Sequence, residues 1–184
     1  DGFNIQDISG VRVFMLKMNQ TAASPLHDKD VRNAVAHIIN YDSMAKIIGN
    51  GSTPGAAPFP PSANLGYDTI ANKATTDVAK ADQILTQAGY AKNANGVYAK
   101  DGKELSLTLA VWGKDTSMYE EIQQELKQAG INVTLKKLQS PDEVDTLGTD
   151  GFDLVERNVI TMSTNDPYWF LSLFYKTGAK SNVG

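Results

Sequence analysis

The chain has 184 residues, 41% of them hydrophobic and 21% charged, with a formal net charge of −4. That is the composition of a globular chain with one sizeable core or two small lobes. It offers no basic patch for nucleic acid, no apolar run of the ~18–20 residues a membrane helix needs, and no cysteine for a disulfide, a thiolate nucleophile or a Cys-type zinc site.

Val11 to Asn19 (VRVFMLKMN) predicts a strand covered on both faces, with Val11, Val13 and Met15 on one and Phe14, Leu16 and Met18 on the other. DKDVRNAVAHIIN predicts a helix capped by Asp28, with a stripe of Val31, Val35, Ile38 and Ile39. Asp42 is the expected cap of a second short helix, stopped by Gly49. Residues 50–64 hold four of the seven prolines and predict a loop. Thr76 to Gly89 predicts a helix capped by Thr76, burying Val78, Ala81, Ile84, Leu85 and Ala88. The KDGK turn predicts a hairpin, followed by a strand in which Leu105, Leu107 and Leu109 share an apolar face. A helix from about Ser117 to Ala129, a strand INVTLKKL, a short helix opening on Pro141, a strand FDLVERN and a helix opening on Asp166–Pro167 complete the order. Such alternation predicts an α/β fold with a mixed sheet. LTQAGY and LKQAGI have the look of an internal repeat; the reading preferred over it is that both are ordinary glycine-stopped helix ends.

The chemistry-bearing residues point to binding, not catalysis. No glycine-rich phosphate loop, nucleophile elbow or HExxH helix occurs. His27 and His37 are too few and too badly spaced for a metal pair, and Asp142, Glu143 and Asp145 read as a solvated helix face. Open α/β sheets form clefts where their strands end. Two strand ends qualify, AVWGKD and ERNVITMSTNDP. Arg157 is the candidate carboxylate fork, with an ion pair to Asp150, Asp153 or Glu156 as the plain alternative. Asn158, Thr161, Ser163 and Asn165 are candidate hydrogen-bonding groups, and Trp112 a candidate apolar wall or core residue.

The order of these motifs resembles a known family. DKDVRNAVAHIINYDSMAKIIGNG, the loop ending PFPPS, TTDVAKADQILTQAGY, NGVYAKDGKELSLTLAVW, YEEIQQELKQAGINVTLKKL, GFDLVERN and NDPYWFLSLFYKTGAKSN together resemble the C-terminal lobe of extracytoplasmic solute-binding proteins of ABC importers, family 5, which handles peptides and nickel. The resemblance implies a two-lobed, periplasmic-binding-protein-like clamp of which residues 1–184 are one ligand-binding lobe, the partner lobe and any targeting segment lying outside this sequence. It implies a monomer that is not an enzyme and needs no cofactor, capturing a small peptide or a nickel chelate for a membrane permease. It implies an extracytoplasmic place, as a periplasmic protein or a cell-surface lipoprotein. It matches Arg157 to an arginine that meets a ligand carboxylate in peptide binders. An aspartate that meets the ligand amino group in the family has its nearest counterpart in Ser163, which carries no charge. The runner-up from the residues alone is a protein–protein module using the Pro-rich loop 54–61.

Overall fold

A computed structural model describes residues 10–55, 57–59, 69, 75–148, 150–161, 166–179 and 182. Seven strands and six α-helices lie among them: β1 (Arg12–Met18), α1 (Lys29–Ile38), α2 (Tyr41–Ile48), α3 (Val78–Gln87), β2 (Ala91–Lys92), β3 (Tyr98–Lys100), β4 (Lys103–Glu104), β5 (Ser106–Val111), α4 (Ser117–Ala129), β6 (Asn132–Lys137), α5 (Glu143–Leu147), β7 (Leu154–Ile160) and α6 (Tyr168–Phe174). By their contacts the residues divide into two compact units. The larger is made chiefly of Leu16–Pro54 and Ala74–Arg157, the smaller of Asp1–Met15, Gly55–Lys73 and Asn158–Asn182.

The main sheet has the order β1-β7-β5-β6. β5 pairs parallel with β6 and with β7. The bonds Asn19 N–H to Asp153 O and Thr161 N–H to Val11 O, at opposite ends of β1 and β7, make that pair antiparallel. The sheet is therefore mixed, and the fold is the expected α/β class. A second sheet, β2-β3-β4, carries the expected hairpin, with Lys100 opposite Lys103 and Asp101 and Gly102 both at positive φ in the turn. Its outer strand, β2, has no strand-like sequence pattern and is held by pairing with β3.

In the larger unit, alternation in β5 and β7 sends Leu107, Leu109, Val111 and Leu154 to one side. There they join Val31, Val35 and Ile38 of α1, Ala81 and Leu85 of α3, and Ile122 and Leu126 of α4 in the main core. The other side carries a smaller cluster, Ala110, Leu138, Val144, Phe152 and Val155, with Trp112 and Leu147 packed at its margin. Asp153 ties the start of this arrangement together: its carboxylate accepts the Ser24 hydroxyl at 2.6 Å and the Thr108 N–H at 2.7 Å.

Several local expectations need correction. β1 is half-buried along most of its length rather than covered on both faces. Asp28 caps α1 as expected, but α2 is capped by Asn40, whose side chain accepts the Ser43 N–H, and Asp42 sits inside the first turn. Asp77, not Thr76, caps α3; the Thr76 hydroxyl instead donates to the Ile39 carbonyl, and Val78 is half-exposed. α5 starts two residues after Pro141 and α6 one residue after Pro167, although Asp166 still accepts the Tyr168 N–H. α4 ends at Ala129 as its sequence predicts, because Gly130 takes φ +104 and lets the Ile131 N–H reach back to the Leu126 carbonyl.

In the smaller unit, Phe170 is fully buried, edge-on to Phe59 at 5.5 Å and tilted against Phe174 at 4.8 Å. The opposite side of α6 leaves Tyr168, Trp169, Leu171 and Leu173 exposed.

Candidate functional site

The parallel register of β5 and β7 pairs Leu109 with Leu154 and Ala110 with Val155, so the strands end together with Trp112 beside Arg157. The Arg157 guanidinium carbon lies 5.2 Å from the centroid of the Trp112 ring. The contact is a cation–π one between two half-buried side chains, and Arg157 Nη1 also donates to the Glu156 carbonyl oxygen at 3.4 Å. Burial lowers the Arg157 pKa, opposed by the charges of Asp145 and Glu156.

Glu156, one residue earlier, points to the opposite side of the sheet. It is only 4% exposed. Its carboxylate accepts the Trp112 backbone N–H at 2.7 Å and the hydroxyl of Tyr119 on α4. Burial raises the Glu156 pKa against the opposing pull of those two hydrogen bonds and of Arg157. Burial and the Glu156 carboxylate together push the Tyr119 hydroxyl up. Glu156 thus anchors the end of β5 from beneath, and the anchored end carries the Trp112 ring on which Arg157 rests.

Lys17 also belongs to the larger unit, on the same side of the sheet as Arg157. Burial, and then the nearby Arg157 charge, lowers its pKa to about 8. Sequence reading passed over Lys17 and Tyr119, and weighed Glu156 only as an ion-pair partner of Arg157. The signal for Lys17 was a single charged residue interrupting an otherwise apolar strand (FMLKMN); for Tyr119 the sequence carried none.

Of the six residues singled out in the sequence, the structure brings Trp112 and Arg157 together. Asn158 and Thr161 belong to the smaller unit. Asn158 is exposed there and its carbonyl oxygen accepts from Arg12 at 2.7 Å. Thr161 is fully buried; its N–H donates to Val11 and its hydroxyl has no hydrogen-bond partner among the described residues. Ser163 and Asn165 lie outside the described residues, as do residues 56, 60 and 61 of the Pro-rich loop 54–61. The Arg157 ion pair weighed against Asp150, Asp153 or Glu156 is not among the ion pairs of the described residues. His27 and His37 each place Nδ1 against a backbone carbonyl, of Gln20 at 2.8 Å and Thr75 at 2.7 Å. Among the described residues no three His, Asp or Glu side chains gather as a metal site.

The sequence matches the family model for bacterial extracellular solute-binding proteins, family 5 (Middle), over residues 1–182. The chain belongs to this family. It is 33% identical over 128 residues to the oligopeptide-binding protein OppA of Lactococcus lactis subsp. cremoris, a match covering 63% of this chain and 20% of the relative. It is 27% identical over 185 residues to the probable D,D-dipeptide-binding periplasmic protein DdpA of Escherichia coli, covering 98% of this chain and 33% of that one. This family 5 chain therefore spans between a fifth and a third of the length of these curated relatives. Among solved structures it superposes on the nickel ABC transporter protein of Bacillus halodurans with a TM-score of 0.79 and 25% identity, over 96% of this chain and 37% of that one. It superposes on NikA of Brucella suis in complex with Fe(III)-EDTA with a TM-score of 0.75 and 26% identity, over 92% of this chain and 34% of that one. The expected periplasmic-binding-protein-like α/β fold is thus the fold of this chain, and its family is one of transport proteins that bind solutes.

Proposed function

We propose that this chain is one ligand-binding lobe of the solute-binding component of an ABC importer, and that it captures a small peptide or a metal chelate through a carboxylate. The observation that carries the reading is the Trp112–Arg157 stack at the matched ends of two parallel strands. A guanidinium held against an indole keeps N–H groups able to pair two-point with a carboxylate. Ser163 and Asn165, which follow in the sequence, remain proposed neutral hydrogen-bonding groups. The names of the relatives support both ligand classes, since one is an oligopeptide binder and another holds a metal–EDTA complex.

On this reading residues 1–184 form a single lobe, and the rest of a two-lobed clamp comes from chain outside this sequence. No bond is made or broken. The ligand is held between lobes, and because it touches both only when they are shut, it shifts the population toward the closed state. The closed form is what a membrane permease receives. The protein acts outside the cytoplasm, free in the periplasm or anchored as a lipoprotein, and as a monomer.

The test is calorimetric titration of the full-length protein with nickel plus free L-histidine and, separately, with Ala-Ala-Ala, for the wild type and Arg157→Ala. Binding of either ligand by the wild type, weakened at least about tenfold in the variant, is the expected result. Binding that is indifferent to Arg157 removes the site assignment while keeping the transport reading. Binding of neither removes both ligand classes.

A further inference from the structure

The sequence holds two Asn–Gly pairs, Asn50–Gly51 and Asn95–Gly96, and both are exposed. Glycine puts no side chain beside its backbone nitrogen and leaves the peptide free to turn, so in such a pair that nitrogen can reach the side-chain amide before it. The fold treats the two pairs differently. Gly96 N–H donates to the Asn93 carbonyl at 2.9 Å. The Asn93 side-chain oxygen accepts from Asn95 N–H at 2.9 Å and from Val97 N–H at 3.1 Å, and Asn93 N–H closes the loop on the Val97 carbonyl at 2.9 Å. The Gly96 carbonyl is also pressed against Gly130, 2.6 Å from where a Cβ there would sit. Asn50–Gly51 leaves the end of α2 at φ +51 and +70, in the middle of a tight turn closed by Ser52 N–H on the Gly49 carbonyl at 2.9 Å. Among the described residues neither the Asn50 side-chain amide nor the Gly51 N–H has a hydrogen-bond partner. Breaking the bond across its turn frees this pair, whereas several bonds must break together to free the other.

We propose that Asn50–Gly51 is a site of spontaneous modification, at which the folded protein converts Asn50 to aspartate and isoaspartate through a cyclic imide with Gly51. Base takes the Gly51 amide proton, and the nitrogen attacks Asn50 Cγ. The N–Cγ bond forms, the Cγ–Nδ2 bond breaks, and Nδ2 leaves as ammonia with a proton returned by solvent. Water then adds at either imide carbonyl. Opening at Cγ gives aspartate; opening at the backbone carbonyl gives isoaspartate, in which the main chain runs through the side-chain carbons. Water is the co-reactant, and nothing is oxidised or reduced. The product bears a carboxylate where a neutral amide stood, just past the C-terminus of α2, where negative charge opposes the helix dipole. Isoaspartate also lengthens the backbone by a methylene between α2 and the Pro-rich loop. At Asn95–Gly96 the same attack first needs the Gly96 N–H released from the Asn93 carbonyl. The site stands apart from Arg157 and Trp112, so this proposal and the ligand site can each fail alone.

The test is peptide mapping by mass spectrometry of the full-length protein, stored in mildly alkaline buffer both folded and in urea. In the folded protein Asn50 is expected to convert at least about tenfold faster than Asn95, and faster still as the pH rises, because the Gly51 amide must lose its proton. In urea, where both turns are lost, the two rates are expected to converge. Gly51→Ala is expected to slow conversion at Asn50, in urea as well as folded, and to leave Asn95 unchanged, which ties the reaction to that nitrogen. Asn95 converting as fast as Asn50 in the folded protein, or fastest conversion at an asparagine outside both pairs, overturns the proposal. A preference for Asn50 that persists in urea shows that neighbouring residues rather than the fold select it, and overturns the assignment to the structure.

Discussion

The two sides of the main sheet in the larger unit are built from alternate residues of the same strands, yet they do opposite work. On the α4 side, Leu107, Leu109, Val111 and Leu154 meet three helices in a continuous apolar core. On the α5 side, Ala110 and Val155 meet a small cluster under a single short helix, and the strand ends carry Arg157 and Lys17, both half-buried. The difference teaches where this lobe can keep charges that folding disfavours. One side supplies surplus apolar burial, at ~25 cal/mol per Å² removed from water. The other side uses that surplus to hold two like charges near each other on neighbouring strands, a poor arrangement for stability.

The comparison is broken most directly by deleting methyl groups from each side. Leu109→Ala is expected to cost about 3 kcal/mol, because Leu109 is fully buried where little can collapse around the cavity. Val144→Ala, at the edge of the smaller cluster, is expected to cost roughly 1.5 kcal/mol. Urea denaturation of both variants gives the two losses. Equal values would mean the sides are equally packed and the division of labour is wrong.

A second contrast concerns the matching stops LTQAGY and LKQAGI, which differ only in what surrounds them. Gly89 takes φ +90 with its nearest neighbour, Lys100 Cε, 3.5 Å from where a Cβ would sit. Gly130 takes φ +104, and a Cβ there would lie 2.6 Å from the Gly96 carbonyl oxygen. Gly89→Ala bears only the strain of a left-handed alanine, about 1 kcal/mol. Gly130→Ala adds a backbone clash that no rotamer relieves, so about 2–3 kcal/mol is expected. Denaturation midpoints that fall equally would show that the close approach to Gly96 relaxes freely.

These contrasts also mark what was legible beforehand. The α4 helix, the Asp101–Gly102 hairpin and the joint ending of β5 and β7 at Trp112 and Arg157 follow from local signals: apolar period, turn chemistry and a parallel crossover. The caps of α2 and α3 were misplaced because NYD and TTD each offer neighbouring residues able to cap. For α3 the Thr76 hydroxyl is engaged elsewhere, on the Ile39 carbonyl, and leaves the cap to Asp77; for α2 the Asn40 side chain takes the Ser43 N–H. Lys17 was out of reach for a stronger reason. Strand alternation divides Lys17 from Leu16 and Met18, but only the pairing of β1 with β7, more than a hundred residues away, tells which side meets Arg157. Half of the candidate site was therefore written in local pattern and half in long-range register.

The smallest effect expected is the most specific to the charged side. Folding lowers the Lys17 pKa from 10.5 to about 8. Below pH 8 the ammonium is charged in both states, and the folded state bears the full penalty of holding it. Between about 8 and 10.5 the unfolded chain binds more protons than the folded one, so stability contributed by this group rises with pH until the penalty is gone. The full shift corresponds to about 3 kcal/mol, which half-exposure and solvent screening reduce to roughly 1 kcal/mol. Lys17→Met removes the ammonium, so the variant is expected to be more stable than the wild type at pH 7 and equal to it near pH 10.5. The buried tyrosines, whose pKa values are raised, destabilise both proteins alike at the alkaline end, and the difference between the two curves cancels them. A gap that stays constant with pH would mean that methionine only packs better than lysine there. A gap that closes across the window would show that the α5 side holds a charge at a cost in stability.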